Sequence, residues 1–320
     1  MTGRYVGGVP IAEVVRSGFV ESQHLGSYAA LDPDGSLVAS AGDPHGAIFP
    51  RSANTPMLAV AMWRCGLRLA DPADWALVAA SHWGEPFHVE RVRALLRSVS
   101  MPESFLACPP DLPLGPDARA AVLREGGTPS RVYMNCSGKH AGMLATCAAA
   151  GWTPQDYASR EHPLQKACRR AVSEMAGEPV AGVGVDGCGA AVFAIPLVGL
   201  ARAFLAAVSA DAGTPERSVA DAMRAYPEMM SGTGADDARL MRAVPGLLAK
   251  GGAEGVLAVA VPDVGAVAIK VDDGAARATR PVLVAALGRL GLTSPALGEA
   301  ADVAVLGGGA RVGTVRAIVK

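Results

Sequence analysis

Strand-and-turn patterns at the two ends of the chain enclose a long helical stretch, and that distribution constrains the fold more than any other feature. Near the N-terminus, residues 28–31 and 36–40 are largely apolar and are separated by Asp32-Pro33-Asp34-Gly35. Aspartate bonds its own backbone, proline presets φ and glycine accepts positive φ, so residues 27–41 are expected as a hairpin. The pattern returns in the last third: 255–261 and 265–271 are β-branched runs joined by Pro262-Asp263-Val264. Asp272-Asp273-Gly274 then turns into a helical segment over about 275–290, and a last strand is expected over 311–319. Between these ends, apolar residues recur at 3.6-residue spacing with Gly or Pro stops, which predicts helices over 56–69, 88–98, 116–125, 162–176, 197–210, 215–230 and 236–250. Strands at both ends and helices between them bring the termini into one largely antiparallel sheet packed on a helical section. The expectation is an α+β fold, with residues 1–320 as a single unit.

Composition narrows the function classes. Half of the residues are hydrophobic, but charge, Gly and Pro interrupt the apolar runs before any reaches the ~18 residues of a membrane span. The first ten residues carry no basic segment followed by an apolar run, so a cytoplasmic location is expected. Lys plus Arg number 29 against 30 Asp plus Glu, a balance that gives no electrostatic footprint for nucleic acid or an anionic membrane. A small soluble ligand is the expected partner. Six cysteines scattered without a secretory context argue against a disulfide framework and leave some of them as candidate metal ligands.

Chemistry-bearing residues concentrate in a few short stretches. Asn135-Cys136-Ser137-Gly138-Lys139-His140 packs a thiol, an amine and an imidazole into one turn, and Val185-Asp186-Gly187-Cys188-Gly189 adds a carboxylate and a second thiol. Cys136 and Lys139, three apart, share a side of a helical turn; Asp186 and Cys188, two apart, share a side of an extended segment. Two thiolates and a third donor suit Zn²⁺. A lysine ligand must bind as the neutral amine, which costs roughly 4–5 kcal/mol at neutral pH, and the competing reading is a lysine that only lowers a neighbouring thiol pKa. Pro50-Arg51-Ser52-Ala53-Asn54-Thr55-Pro56 precedes an apolar helix, so Ser52 is either an N-cap or a nucleophile near the positive end of the helix dipole. Ser81-His82-Trp83-Gly84-Glu85-Pro86 follows an apolar run and is read as a site segment or a polar loop. Lys250, before Gly251-Gly252, is placed at a helix C-terminus. The glycine clusters at 231–234 and 307–309 fit no nucleotide-binding fingerprint.

Taken in order and spacing, Arg51-Ser52, Ala80-Ser81-His82, Asn135-Cys136-Ser137-Gly138-Lys139-His140, Asp186-Gly187-Cys188 and Lys250 resemble the bacterial asparaginase II family, the rhizobial-type zinc-binding enzymes. The resemblance covers about 18–319. It implies a fold like that of serine β-lactamases and class A glutaminases, a homodimer, and hydrolysis of L-asparagine to L-aspartate and ammonia through a serine acyl-enzyme. Carried over by position, Ser52 is the nucleophile, and Ser81 with Lys250 forms a second pair that relays protons. Cys136, Lys139 and Cys188 hold zinc, with Asp186 beside it. Arg51, His82, Trp83 and His140 complete the implied substrate surroundings.

Two positions depart from the family pattern. The first pair is Ser-x-x-Lys in the family, and Thr55 stands at the lysine position. A hydroxyl is too weak a base for that role, so a loss of order 10²–10⁴ in rate is expected unless Lys250 or another group substitutes. Trp83 stands where a small serine or asparagine is usual, and its indole would narrow the pocket or offer a stacking face. Three functions stay open on these residues: an asparaginase or related amidase, a recruited amidase or acyltransferase acting on another amide, and a non-catalytic zinc- or ligand-binding relative.

Overall fold

The computed structural model describes residues 3–319, so residues 1, 2 and 320 of the expected unit lie outside the described residues. The chain opens with a hairpin of β1 (Val9–Arg16) and β2 (Phe19–Leu31). Ser17 and Gly18 close it, both at positive φ (49° and 82°), the combination that a two-residue turn needs to match strand twist. β2 continues into the expected second hairpin with β3 (Leu37–Ala41), where the Asp32 carboxylate accepts the Asp34 and Ser36 N–H groups. β4 (Ala47–Ile48) follows, then β5 (Gly182–Val185) and β6 (Ala191–Pro196). The later strands are β7 (Leu248–Gly252), β8 (Val256–Val261), β9 (Gly265–Val271), β10 (Ala304–Gly307) and β11 (Ala310–Ala317).

The main sheet runs β10-β11-β1-β2-β9-β8-β7, with β3 also beside β2, while β4-β6-β5 forms a small separate sheet. N- and C-terminal strands pair antiparallel, Val14 opposite Val315 and Tyr28 opposite Ile269, as the α+β reading expects. Every residue of β8 is buried: the helix Leu197–Ser209 covers one face of this region, and the strand is apolar at successive rather than alternate positions.

The helices are, in chain order, α1 (Thr55–Arg64), α2 (Pro72–Val78), α3 (Pro86–Ser98), α4 (Pro116–Arg124), α5 (Ser137–Ala150) and α6 (Pro163–Ala176). They continue as α7 (Leu197–Ser209), α8 (Pro215–Ala225), α9 (Pro227–Met230), α10 (Asp236–Ala243), α11 (Thr279–Arg289) and α12 (Pro295–Ala301). α7 packs on β2, β8 and β9, and α11 packs on β1, β9 and β11. Among the described residues, no helix is long and apolar enough to cross a membrane.

Two expected helices are corrected. The helix placed over 215–230 breaks at Pro227, which has no N–H to continue the ladder, and becomes α8 and α9. The helix placed over 236–250 stops at Ala243; after Pro245-Gly246 the apolar Leu247-Leu248-Ala249 run enters β7. Lys250 therefore sits on an edge strand and caps no helix.

Candidate active site

Three chain segments meet at the free edge of β7. The first is the 3₁₀ turn Arg51–Asn54, which leads into α1 and carries Ser52. Arg51 adopts the left-handed region (φ 54°), a conformation that costs a non-glycine residue about 1–3 kcal/mol and that surrounding contacts must enforce. Its Nε donates to Asp186 Oδ1 at 2.7 Å, which tethers the turn to the β5–β6 connection. β7 presses on the same turn: a Cβ at Gly252 would lie 2.4 Å from the Pro50 carbonyl oxygen and 3.4 Å from Ser52 N, so only glycine fits.

β7 also carries Lys250. Its side chain is buried; Nζ donates to the Gly251 carbonyl at 2.8 Å and stands 3.6 Å from Asp237 Oδ2. Asp237, at the start of α10, accepts the Gly251 N–H at 2.9 Å and so holds both strand and amine.

The third segment follows α2. Ser81 N–H donates to Met230 O (3.2 Å) and Trp83 N–H to Ser231 O (2.7 Å), an extended pairing in which alternate side chains face opposite ways. Ser81 and Trp83 thereby face a cleft of about 490 Å³, whose lining includes Ser52, Asn135, Asp236, Asp237 and Lys250. Ser81 Oγ and Asn135 Oδ1 are buried atoms with no hydrogen-bond partner. Ser81 and Lys250 thus line one cleft without a hydrogen bond at Ser81 Oγ.

His82 and Thr55 are turned away from that cleft, which corrects their expected placement. His82, between the two cleft-facing residues, has no exposed surface. Gly84 N–H donates to its Nδ1 (3.1 Å), and its Nε2 lies 3.0 Å from Ser137 Oγ and 3.3 Å from Gly138 N, so both ring nitrogens are engaged inside the protein. Burial, and then the stacked His88 ring 4.9 Å away, hold its pKa well below the ordinary histidine value. His88 is likewise lowered by burial, to about 4. Thr55 is fully buried, with Oγ1 2.9 Å from Ser52 O and 2.6 Å from Ala79 O. Its single hydroxyl proton is committed to backbone carbonyls, and it works as a strut between the Ser52 turn and the end of α2.

A second cluster lies behind Arg51. Cys136 precedes α5 and Lys139 stands one turn later, so both face the β5–β6 connection. That connection is a tight turn, with hydrogen bonds from Asp186 N–H to Ala190 O and from Gly189 N–H to Asp186 O (both 2.8 Å), where the spacing had suggested an extended segment. It delivers Cys188 Sγ to 3.2 Å from Lys139 Nζ. All three side chains are buried. The Cys188 pKa is lowered, because its hydrogen bond with the Cys136 thiol and then the neighbouring Lys139 and His140 favour the thiolate over the opposing effect of burial. Cys136 rises well above its ordinary value because it gives that bond and is buried. Burial opposes the Lys139 charge, yet the two sulfurs and Asp186 prevail and its pKa is raised. His140 is sequestered here, with Nδ1 2.7 Å from the Tyr157 hydroxyl and Nε2 without a partner.

Two sulfurs and an amine are a donor set that suits zinc. Among the described residues no group of three His, Cys, Asp or Glu gathers to hold a metal, and the nitrogen beside the sulfurs is Lys139 Nζ, 3.2 Å from Cys188 Sγ. Asp186 is engaged with Arg51 and with the Gly187 N–H (2.9 Å).

A family model for L-asparaginase II matches residues 12–317, which spans both the cleft and the cysteine cluster. The chain belongs to the L-asparaginase II family. No curated protein matches it. Among solved structures, the native form of a protein called Mglu is similar at 17% identity and TM-score 0.42, over 82% of this chain and 62% of that one. This chain therefore spans less than two thirds of the length of that structure.

Within this family member, the expected site residues divide into two groups. Ser52, Ser81, Trp83 and Lys250 line the cleft, whereas Cys136, Lys139, His140 and Cys188 form the buried cluster. Arg51 and Asp186 bridge them through their ion pair. Asn135 and Asp237 were not singled out as site residues. Asn135 opens the Cys136 motif and could have been found from it, whereas Asp237 lies in an ordinary-looking helix start and carries no sequence signal.

Proposed function

We propose that this family member hydrolyses a primary amide to a carboxylate and ammonia through an acyl-enzyme on Ser52. The observation that carries this reading is the pair of buried, unpartnered polar atoms, Ser81 Oγ and Asn135 Oδ1, in the cleft that Ser52 and Lys250 also line. Buried polar groups are nearly always hydrogen-bonded, so two orphans in one open cleft indicate a polar ligand that completes them. Ser52 Oγ attacks the amide carbon, forming a C–O bond, and its proton passes to Ser81 and Lys250. The C–N bond then breaks as that proton joins the departing nitrogen, and ammonia leaves. Water attacks the ester, restoring Ser52 and releasing the acid.

L-Asparagine is the substrate that family resemblance suggests, and a homodimer is proposed on the same ground. Zinc is proposed at Cys136, Lys139 and Cys188, with Lys139 binding as the neutral amine. When bound, the metal would tie Cys188 to Cys136 and Lys139 and so fix the β5–β6 connection, from which Asp186 holds Arg51 and with it the Ser52 turn. The test is ammonia release in the presence of zinc by the parent and by Ser52→Ala, with metal content measured in Cys136→Ala and Cys188→Ala. Loss of turnover in the serine variant and of bound zinc in the cysteine variants is expected. Undiminished ammonia release by Ser52→Ala would overturn the nucleophile assignment, and unchanged metal in both cysteine variants would remove the zinc site.

A further inference from the structure

We propose that Tyr157 sets His140 as a hydrogen-bond donor to Cys188, so that the two are positioning residues for the cysteine cluster and the imidazole is kept from binding the metal. This rests on the zinc site proposed above and names the groups that orient it.

Proton counting fixes the ring. The Tyr157 hydroxyl accepts the Ala107 N–H at 2.9 Å and lies 2.7 Å from His140 Nδ1. Among the described residues, Nδ1 is the one acceptor beside that hydroxyl, so the phenol proton goes to it. A ring nitrogen that accepts carries no proton of its own, so the imidazole is neutral and its proton is on Nε2. Both side chains are buried, and Tyr157 is also held through its backbone, where Gln165 Nε2 on α6 donates to the Tyr157 carbonyl at 2.9 Å. The two rings meet edge to face with centroids 5.6 Å apart. The imidazole therefore has one orientation and one tautomer.

That orientation turns Nε2–H toward the sulfurs. Cys136, Lys139 and His140 stand at i, i+3 and i+4 at the start of α5 and share one face. The β5–β6 connection brings Cys188 to that face, with Sγ 3.2 Å from Lys139 Nζ. Burial lowers the His140 pKa and the Cys188 sulfur opposes that shift as a hydrogen-bond partner, while His140 is in turn among the groups that lower Cys188. Nε2 is buried and has no other partner, so that sulfur is the acceptor left to it.

Imidazole is an ordinary nitrogen ligand of zinc, and the chain places one next to Lys139. A protonated Nε2 offers no lone pair, however, and Nδ1 uses its own to accept from Tyr157. His140 accordingly does not join Cys136 and Cys188 in a three-ligand group among the described residues. Lysine is left as the nitrogen donor. The histidine works one step out, where its N–H steadies the sulfur that Cys188 contributes, as the partners of metal ligands commonly do.

The experiment is a ¹H–¹⁵N correlation spectrum of the full chain labelled in its histidine rings, recorded before and after zinc is added. His140 is assigned by the loss of its signals in His140→Gln. Before zinc, His140 is expected to be protonated at Nε2 and unprotonated at Nδ1, and the Nε2 proton is expected to persist with zinc bound. Chelator competition then reads zinc affinity. His140→Leu is expected to weaken it about tenfold to hundredfold, the range for removing a partner of a metal ligand. His140→Gln, whose side-chain N–H₂ can take the place of Nε2–H, is expected to recover most of that loss, with Tyr157→Phe between the two. A parent His140 protonated at Nδ1, an Nε2 that gives up its proton to zinc, or unchanged affinity in a folded His140→Leu would overturn the proposal. A parent that takes up no zinc would overturn the zinc site, and the spectrum before zinc would still decide the His140 assignment, which needs no leucine variant to fold.

Discussion

Thr55→Val separates a structural from a chemical role at the position where the family pattern has lysine. Valine keeps the shape of threonine, so the change removes a hydroxyl and leaves no cavity. The Thr55 hydroxyl has one proton for two carbonyls, and the shorter contact, 2.6 Å to Ala79 O, is the one that a single donor serves best. Removing it leaves a buried carbonyl without that donor, at a cost of about 1–3 kcal/mol. For 320 residues, the unfolding entropy converts this to a fall in Tm of about 1.5–4.5 °C. Turnover should stay within about threefold of the parent, because a hydroxyl pinned to backbone carbonyls takes no proton from Ser52. Calorimetry and ammonia release on the same preparations give both quantities. A hundredfold loss of kcat with an unchanged Tm would refute this and place the Thr55 hydroxyl in the proton path.

Other perturbations test the rest of the site. Lys250→Met keeps the length of a buried side chain and removes its amine; kcat should fall at least about hundredfold with the circular dichroism spectrum unchanged, and parental kcat would exclude Lys250 from proton transfer. Gly252→Ala should displace the Ser52 turn, because its Cβ would meet a backbone carbonyl at 2.4 Å, so kcat should drop and stability should fall by about 1–3 kcal/mol. Parental kcat and Tm would show that β7 does not press on that turn. Acidification should weaken the fold through His82 and His88. Unfolded, each takes a proton near pH 6.5; folded, burial keeps His88 neutral to about 4 and holds His82 well below its ordinary value. Below about pH 6.5 the unfolded chain binds more protons, so their contribution, complete above that pH, is lost as pH falls, by up to about 1.4 kcal/mol per pH unit for each. Urea unfolding at pH 7, 6 and 5 measures this, and a flat profile would contradict it.

The parts of the fold that the sequence made legible are those in which local and long-range preferences agree. The Asp32-Pro33-Asp34-Gly35 turn and the runs on either side of Pro262-Asp263-Val264 are strands in the structure, and the termini meet in one sheet. β1 and the first half of β2 escaped notice because exposed Phe19 and Val20 blur the alternation that marks a half-buried strand. β6 is buried at every position and has no period to read. Lys250 was placed on a helix because Leu247-Leu248-Ala249 continues a helical spacing that Pro245-Gly246 had already ended. The cleft itself was partly visible: Ser52, Ser81, Trp83 and Lys250 lie in it, but alternation along an extended segment, invisible until its pairing with 230–231 is known, turns His82 inward. Asp237 reaches Lys250 only through the docking of α10 on β7, a contact that no local pattern encodes.

The most direct test of the Ser52 acyl-enzyme is mass spectrometry on protein quenched in acid during turnover of L-asparagine, with the modified peptide mapped and Ser52→Ala treated in parallel. The expected result is the mass of the acyl group on the peptide containing Ser52, absent from the variant. An adduct on Ser81, or the same adduct in Ser52→Ala, would contradict the assignment of Ser52 as the nucleophile.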